Sequence, residues 1–225
     1  MTATRLRHWL FLFLAALLLS CARAHPPAPT ILVIGDSLSA GYGMAAQHGW
    51  VALLDERIQR ECPGWQVANA SISGETTAGG AARIAREIDR HQPTIVIIEL
   101  GGNDGLRGLP LEGDNGMRQN LAQMIETAQA AKAHVLLLGM QMPPNLGAAY
   151  TRQFARIYPE LSEHYKTALL PFFLEPIAHQ RDAFQPDNIH PTAAAQPRLL
   201  DHLWPALRPL MGCAANTPAR ECVFP

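Results

Sequence analysis

Thr30-Ile31-Leu32-Val33-Ile34-Gly35-Asp36-Ser37-Leu38-Ser39 is the stretch on which the architecture turns. Its first five residues are apolar or β-branched without alternation. That pattern suits a strand buried on both faces, as in a parallel sheet. Gly35 then ends the run. Downstream, Trp50 to Glu61 has helical spacing, with Val51, Leu54 and Ile58 on one face, and Cys62-Pro63-Gly64 breaks it. The same alternation recurs along the chain. Strands are predicted at Trp65 to Ala70, Thr94 to Ile98, His134 to Leu138 and, weakened by Pro171, Ala168 to Leu174. Helices are predicted at Ala78 to Arg90, Asn115 to Ala131, Tyr150 to Lys166 and Pro191 to Leu207. Pro159 should kink or split the third of these, and Pro191 suits the first turn of the last. Five strands alternating with helices give a three-layer α/β/α sandwich on a five-stranded, flavodoxin-like parallel sheet.

With 225 residues, the chain is sized for one such domain. Its formal net charge of −1 gives no electrostatic case for nucleic acid or an anionic membrane surface. The first residues read differently from the rest. Arg5 and Arg7 precede the apolar run Trp9 to Leu19, and Ala22-Arg23-Ala24 follows as an A-x-A cleavage site. This order is that of a secretory signal peptide over residues 1–24, and the run is too short for a comfortable membrane span. Residues 25–210 form the expected domain, and 211–225 a tail. The expected location is the periplasm. A lipoprotein anchored through Cys21, in Leu18-Leu19-Ser20-Cys21, or a secreted protein are the alternatives. Export implies an oxidising compartment. Cys62, Cys213 and Cys222 allow three single pairings, of which the short loop Cys213–Cys222 is favoured, with free thiols as the other reading.

In such sheets a ligand binds outside the carboxyl ends of the strands. Four elements are placed to meet there. Ser37 follows the first strand at once. A serine hydroxyl needs a base within hydrogen-bond reach to become a nucleophile, although Gly-Asp-Ser is also ordinary turn chemistry in which Asp36 simply caps a helix. Asp187-Asn188-Ile189-His190 offers the base. Asp187 would fix the tautomer of His190, and Pro186 and Pro191 restrict the segment around them. A solvated loop is the plain alternative. Asn69 to Gly74 follows the second strand, and Gly74 lacks a Cβ, so its N–H can approach a substrate closely. Gly101-Gly102-Asn103-Asp104 follows the third, and Asn103 can offer its amide. With the N–H of Ser37, these make three donors for one developing oxyanion.

These blocks resemble the SGNH (GDSL) hydrolase family. Ser37 matches its first block, Gly74 the second, Asn103 the third, and Asp187 with His190 the fifth. Gly35 to Gly43, Asn69 to Gly80 and Leu100 to Gly108 are similar to its exported bacterial thioesterase I, protease I or lysophospholipase branch. The resemblance spans about Ile31 to Leu203; the tail from Cys213 has no match in the family pattern. It implies hydrolysis of acyl esters and thioesters through an acyl-enzyme on Ser37, with no cofactor and no metal. Its partners would be a small acyl substrate and water, and the protein a monomer. An O-acetylesterase acting on carbohydrate is the alternative, and a non-catalytic binding relative a remoter one. In the branch, the segment after Asn103 shapes the acyl pocket, which here means Leu106, Arg107 and Leu109. Met140, Met142 and Leu146 after the fourth strand would join it, unless they are ordinary core. Rivals lack support. There is no G-x-G-x-x-G after a strand, no G-K-[ST], no H-E-x-x-H, and Ser39 stands where G-x-S-x-G would need glycine. Ser39 is the next candidate nucleophile after Ser37.

Overall fold

A computed structural model describes residues 28–213. Residues 1–24, read as a signal peptide, Cys21 and Cys222 lie outside the described residues. Five parallel strands are β1 (Thr30–Gly35), β2 (Gln66–Asn69), β3 (Ile95–Glu99), β4 (His134–Leu138) and β5 (Ala168–Leu170), in the order β2-β1-β3-β4-β5. Ile31 to Ile34 and Ile95 to Ile98 are fully buried, as uninterrupted apolar strands at the centre of a sheet should be. The β1–β3 ladder runs to its last pair, Gly35 opposite Glu99.

The helices cover both faces. α1 (Ser37–Ala40) is a single turn. α2 (Trp50–Glu61) and α7 (Gln196–Leu207) pack together, while α3 (Thr77–His91), α5 (Met117–Ala130) and α6 (Ala148–Tyr165) pack in succession. α4 (Gly102–Leu106) is a short helix just beyond β3. α2 buries Trp50, Val51, Leu54 and Ile58, the face predicted for it. Its N-cap Gly49 has no capping side chain; instead the buried Gln196 of α7 accepts from Trp50 N–H at 3.0 Å.

The structure departs from the expectations at four points. α6 is one continuous helix through Pro159, because Phe154, Ile157, Tyr158 and Leu161 bury a stripe on both sides of the proline. β5 stops at Leu170, since Pro171 has no N–H to continue a ladder. α7 begins at Gln196, not Pro191, and Pro197 occupies its first turn. Pro191 instead bridges Phe184 in an isolated antiparallel contact. Finally, Cys213 pairs with Cys62 and so is not available to Cys222. Cys62 caps the end of α2, and the chain returns beside it after α7, bringing the two Cα atoms to 5.9 Å.

This bond closes a loop with a sequence separation of 151. Removing a native disulfide of this span should cost about 2–5 kcal/mol. Cys62→Ser is therefore expected to lower Tm by about 5–15 °C in a thermal melt, with no change in ester turnover below the transition.

Candidate active site

β1 delivers Ser37 to the carboxyl edge of the sheet. Asp36 ends the strand in a non-helical conformation and caps α1, its Oδ1 accepting from Leu38 N–H at 3.0 Å. Gly41 closes the turn in the left-handed region, with its N–H on Ser37 C=O. The capping reading of Asp36 is thus correct, and it describes only half of what the residue does. Its Oδ2 accepts from Asn103 Nδ2 at 2.9 Å. One buried carboxylate therefore joins the Ser37 turn to the loop after β3.

The segment from Ala183 to Thr192 is a closed loop. Gln185 N–H reaches His190 C=O at 2.7 Å, and Thr192 N–H reaches Ala183 C=O at 2.8 Å. Asp187 holds the tip. Its Oδ1 accepts from the N–H groups of Ile189 and His190, at 3.0 and 3.1 Å. Its Oδ2 lies 2.7 Å from His190 Nδ1, and His190 Nε2 lies 2.8 Å from Ser37 Oγ. The hydrogen bond from His190, with those two N–H donors, brings the Asp187 carboxyl down to about 2. Asp187 therefore stays ionised through the whole neutral and mildly acidic range. Tyr42 stacks on His190 with ring centroids 4.4 Å apart. Gln185 Nε2 donates to Tyr42 C=O at 2.8 Å and to Pro191 C=O at 3.0 Å, tying the two loops together.

Gly74 has φ +81°, a conformation that favours glycine. Its C=O accepts from Arg107 at 2.8 Å, and the same guanidinium nitrogen lies 3.4 Å from Asn103 Oδ1. Arg107 thus spans the two segments from which donors were expected. α4 itself is pinned from beneath. Asp104 accepts from Thr77 N–H and Oγ1 at 2.9 and 2.5 Å, and Tyr158 Oη donates to Leu100 C=O at 3.0 Å. Asn103 uses one amide hydrogen on Asp36 and has a second.

The remaining expected residues divide by exposure. Leu106, Leu109 and Leu146 are exposed, as are Ile72 and Ile189. Met140 and Met142 are buried, and Met142 packs under Gly105, where an added Cβ would meet its sulfur. Ser39 is buried with its hydroxyl bound to Glu99, so it does not face the site. Reading the sequence missed Glu99, Gln185 and the second bond of Asp36. An acid closing an otherwise apolar buried strand is the signal that marks Glu99; Gln185 offers none.

A buried serine turn, a histidine on its hydroxyl and an aspartate on the histidine is a layout for acyl transfer. Residues 33–197 match the model of the GDSL-like lipase/acylhydrolase family. The chain belongs to that family. It is 50% identical over 185 residues to esterase TesA of Pseudomonas aeruginosa, covering 82% of this chain and 90% of the relative. To thioesterase 1/protease 1/lysophospholipase L1 of Escherichia coli K12 it is 42% identical over 204 residues, covering 91% and 93%. Among solved structures, a crystal structure of TesA superposes with a TM-score of 0.77 at 50% identity, over 80% of this chain and 99% of that one. The esterase EstA from Pseudoalteromonas sp., inhibited by monoethylphosphonate, superposes at 0.76 with 38% identity, over 81% and 98%. The chain is accordingly a carboxylic ester hydrolase of the SGNH fold.

Proposed function

We propose that Ser37, His190 and Asp187 form the catalytic triad of an enzyme that cleaves acyl esters and thioesters. The observation that carries this reading is the unbroken chain of contacts, 2.8 Å from Ser37 to His190 and 2.7 Å from His190 to Asp187. Ser37 Oγ attacks the acyl carbonyl while His190 Nε2 takes its proton. Asp187 holds the Nδ1–H tautomer and stabilises the imidazolium. The N–H groups of Ser37 and Gly74 and the Asn103 amide receive the oxyanion. His190 then returns its proton to the leaving alcohol or thiol, and later activates water to release the acid. Leu106, Leu109 and Leu146 contact the acyl chain. Arg107 holds the Gly74 and Asn103 segments at a common distance, and Met140 and Met142 support the pocket from below. The chemistry calls on side chains, backbone N–H groups and water.

The names of the relatives favour acyl esters and thioesters over acetylated sugars. The protein acts as a monomer, and outside the cytoplasm; the Cys62–Cys213 disulfide supports the second of these. Among the described residues no helix is long and apolar enough to cross a membrane. A fluorophosphonate probe tests the assignment. One adduct per chain, on the peptide containing Ser37, is expected by mass spectrometry; an adduct on another residue, or none, rejects it.

A further inference from the structure

Behind the nucleophile turn lies an acid that the reaction does not consume. Glu99 closes β3, opposite Gly35, and is fully buried. Its Oε2 accepts from Ser39 Oγ at 2.7 Å and, at 3.4 Å, from Asp36 N–H. The space is tight: a Cβ at Gly35 would stand 2.6 Å from Ser39 Oγ and 3.0 Å from Glu99 Oε2. Oε1 is equally buried and has no donor among the described residues. The carboxyl groups of Glu99 and Asp36 are close neighbours here, Glu99 Oε2 already accepting from the Asp36 N–H, and each bears on the other's proton.

Two carboxyl groups in contact in a dry site do not both ionise. Their surroundings decide which keeps the proton. Asp36 receives two good donors, Leu38 N–H and Asn103 Nδ2, and both favour its anion. Glu99 receives a hydroxyl and one long N–H bond. The other titratable groups facing the pair do not change the outcome. Asp104 of α4 is spent on Thr77, Tyr158 of α6 gives its hydroxyl to Leu100 C=O, and His190 lies on the Asp36 side.

We propose that Glu99 is a positioning residue that works as a neutral acid: through Oε1 it donates to the Asp36 carboxylate and so fixes the group that orients both the Ser37 turn and the Asn103 amide. The inference rests on the roles of Ser37 and Asn103 proposed above. Burial, reinforced by the charge on Asp36, pushes the Glu99 carboxyl well above the ordinary carboxylate range, which agrees with a retained proton at neutral pH.

The test compares Glu99→Gln and Glu99→Met with the wild type, measuring kcat and KM for a short-chain aryl ester from pH 5 to 10. Gln keeps one acceptor for Ser39 and one donor for Asp36. Its kcat at pH 7 should stay within about threefold of wild type. Met fills similar space without a donor, and its kcat should fall by about tenfold or more, with KM little changed. The pH profiles separate positioning from packing. In the wild type, ionisation of Glu99 at alkaline pH places two anions in contact and lowers kcat. The Gln variant cannot ionise there and should hold its kcat to higher pH. Equal losses in both variants would mean that the carboxylate charge is needed, and would overturn the proposal. So would full activity in the Met variant. If the Met protein does not fold, an alkaline limb unchanged in Glu99→Gln decides against it. Labelling of Ser37 by the fluorophosphonate is read separately, so failure of the triad assignment is not confused with failure of this one.

Discussion

Ser37→Ala is expected to remove about 10⁴- to 10⁶-fold of kcat while leaving Tm within a degree or two of wild type. The two halves of this expectation have separate causes. The Ser37 hydroxyl reaches His190, and no element of the core depends on that contact. Losing it deletes the proposed nucleophile without opening a cavity, so stability is spared. Ser39 does not replace it. Ser39 is two residues on, but it is buried with its oxygen committed to Glu99, on the far side of the turn. The residue left behind, His190, can still activate water weakly, and the oxyanion donors remain. Those account for any residual rate above background. The measurement is single-substrate turnover of acyl esters and acyl-CoA thioesters of rising chain length, with a thermal melt of the same preparation. Undiminished hydrolysis in the variant would sink the mechanism.

Asn103→Ala should lower kcat by about 10²- to 10³-fold with little effect on KM. The loss falls on kcat because the amide meets charge that develops only in the transition state. A second effect is specific to this chain. Burial pushes the Asp36 carboxyl up to about 6, and the bonds from Leu38 N–H and Asn103 hold it from rising further. Removing Asn103 therefore raises it again, so the acid limb of kcat should move to higher pH. The stability linkage has the opposite sense from that of a paired carboxylate. Asp36 titrates near 3.8 when exposed and near 6 in the fold. Between those values the native state keeps a proton that the unfolded state has released. Its contribution to stability is therefore full below about pH 4 and is lost as pH rises through about 6. Kinetic profiles of the variant beside the wild type read both effects, and an unmoved acid limb would count against the role given to Asp36.

Strands β1, β3, β4 and β5 were legible because each is a short, mostly apolar run with a punctuating glycine or proline; β2, Gln66-Val67-Ala68-Asn69, is half polar and was marked mainly by the Pro63-Gly64 break before it. The helix over Trp50 to Glu61 was legible to the residue, since a tryptophan and two breakers bracket it. Boundaries failed where tertiary contacts outrank local pattern. Pro191 looks like a helix start, yet the loop that seats His190 uses it as a bridge to Phe184. Pro159 looks like a breaker, yet the stripe beneath it keeps the helix whole. The disulfide was misread because two cysteines with eight residues between them are conspicuous in sequence, whereas the approach of α2 to the end of α7 is visible only in three dimensions. The chemical groups at strand ends were readable from type and order. Their wiring was not: the bonds from Asp36 to Asn103, from Glu99 to Ser39 and from Gln185 to Tyr42 join residues far apart in the chain.

Ser37 and His190 are separated by 153 positions, and the complete sheet ends at Leu170, before the histidine arrives. The five strands and the serine are therefore all encoded before the proposed base, and a chain ended after Leu170 carries the serine turn without the histidine. On the proposed triad, activity waits until the loop from Ala183 to Thr192 has folded back onto the sheet edge.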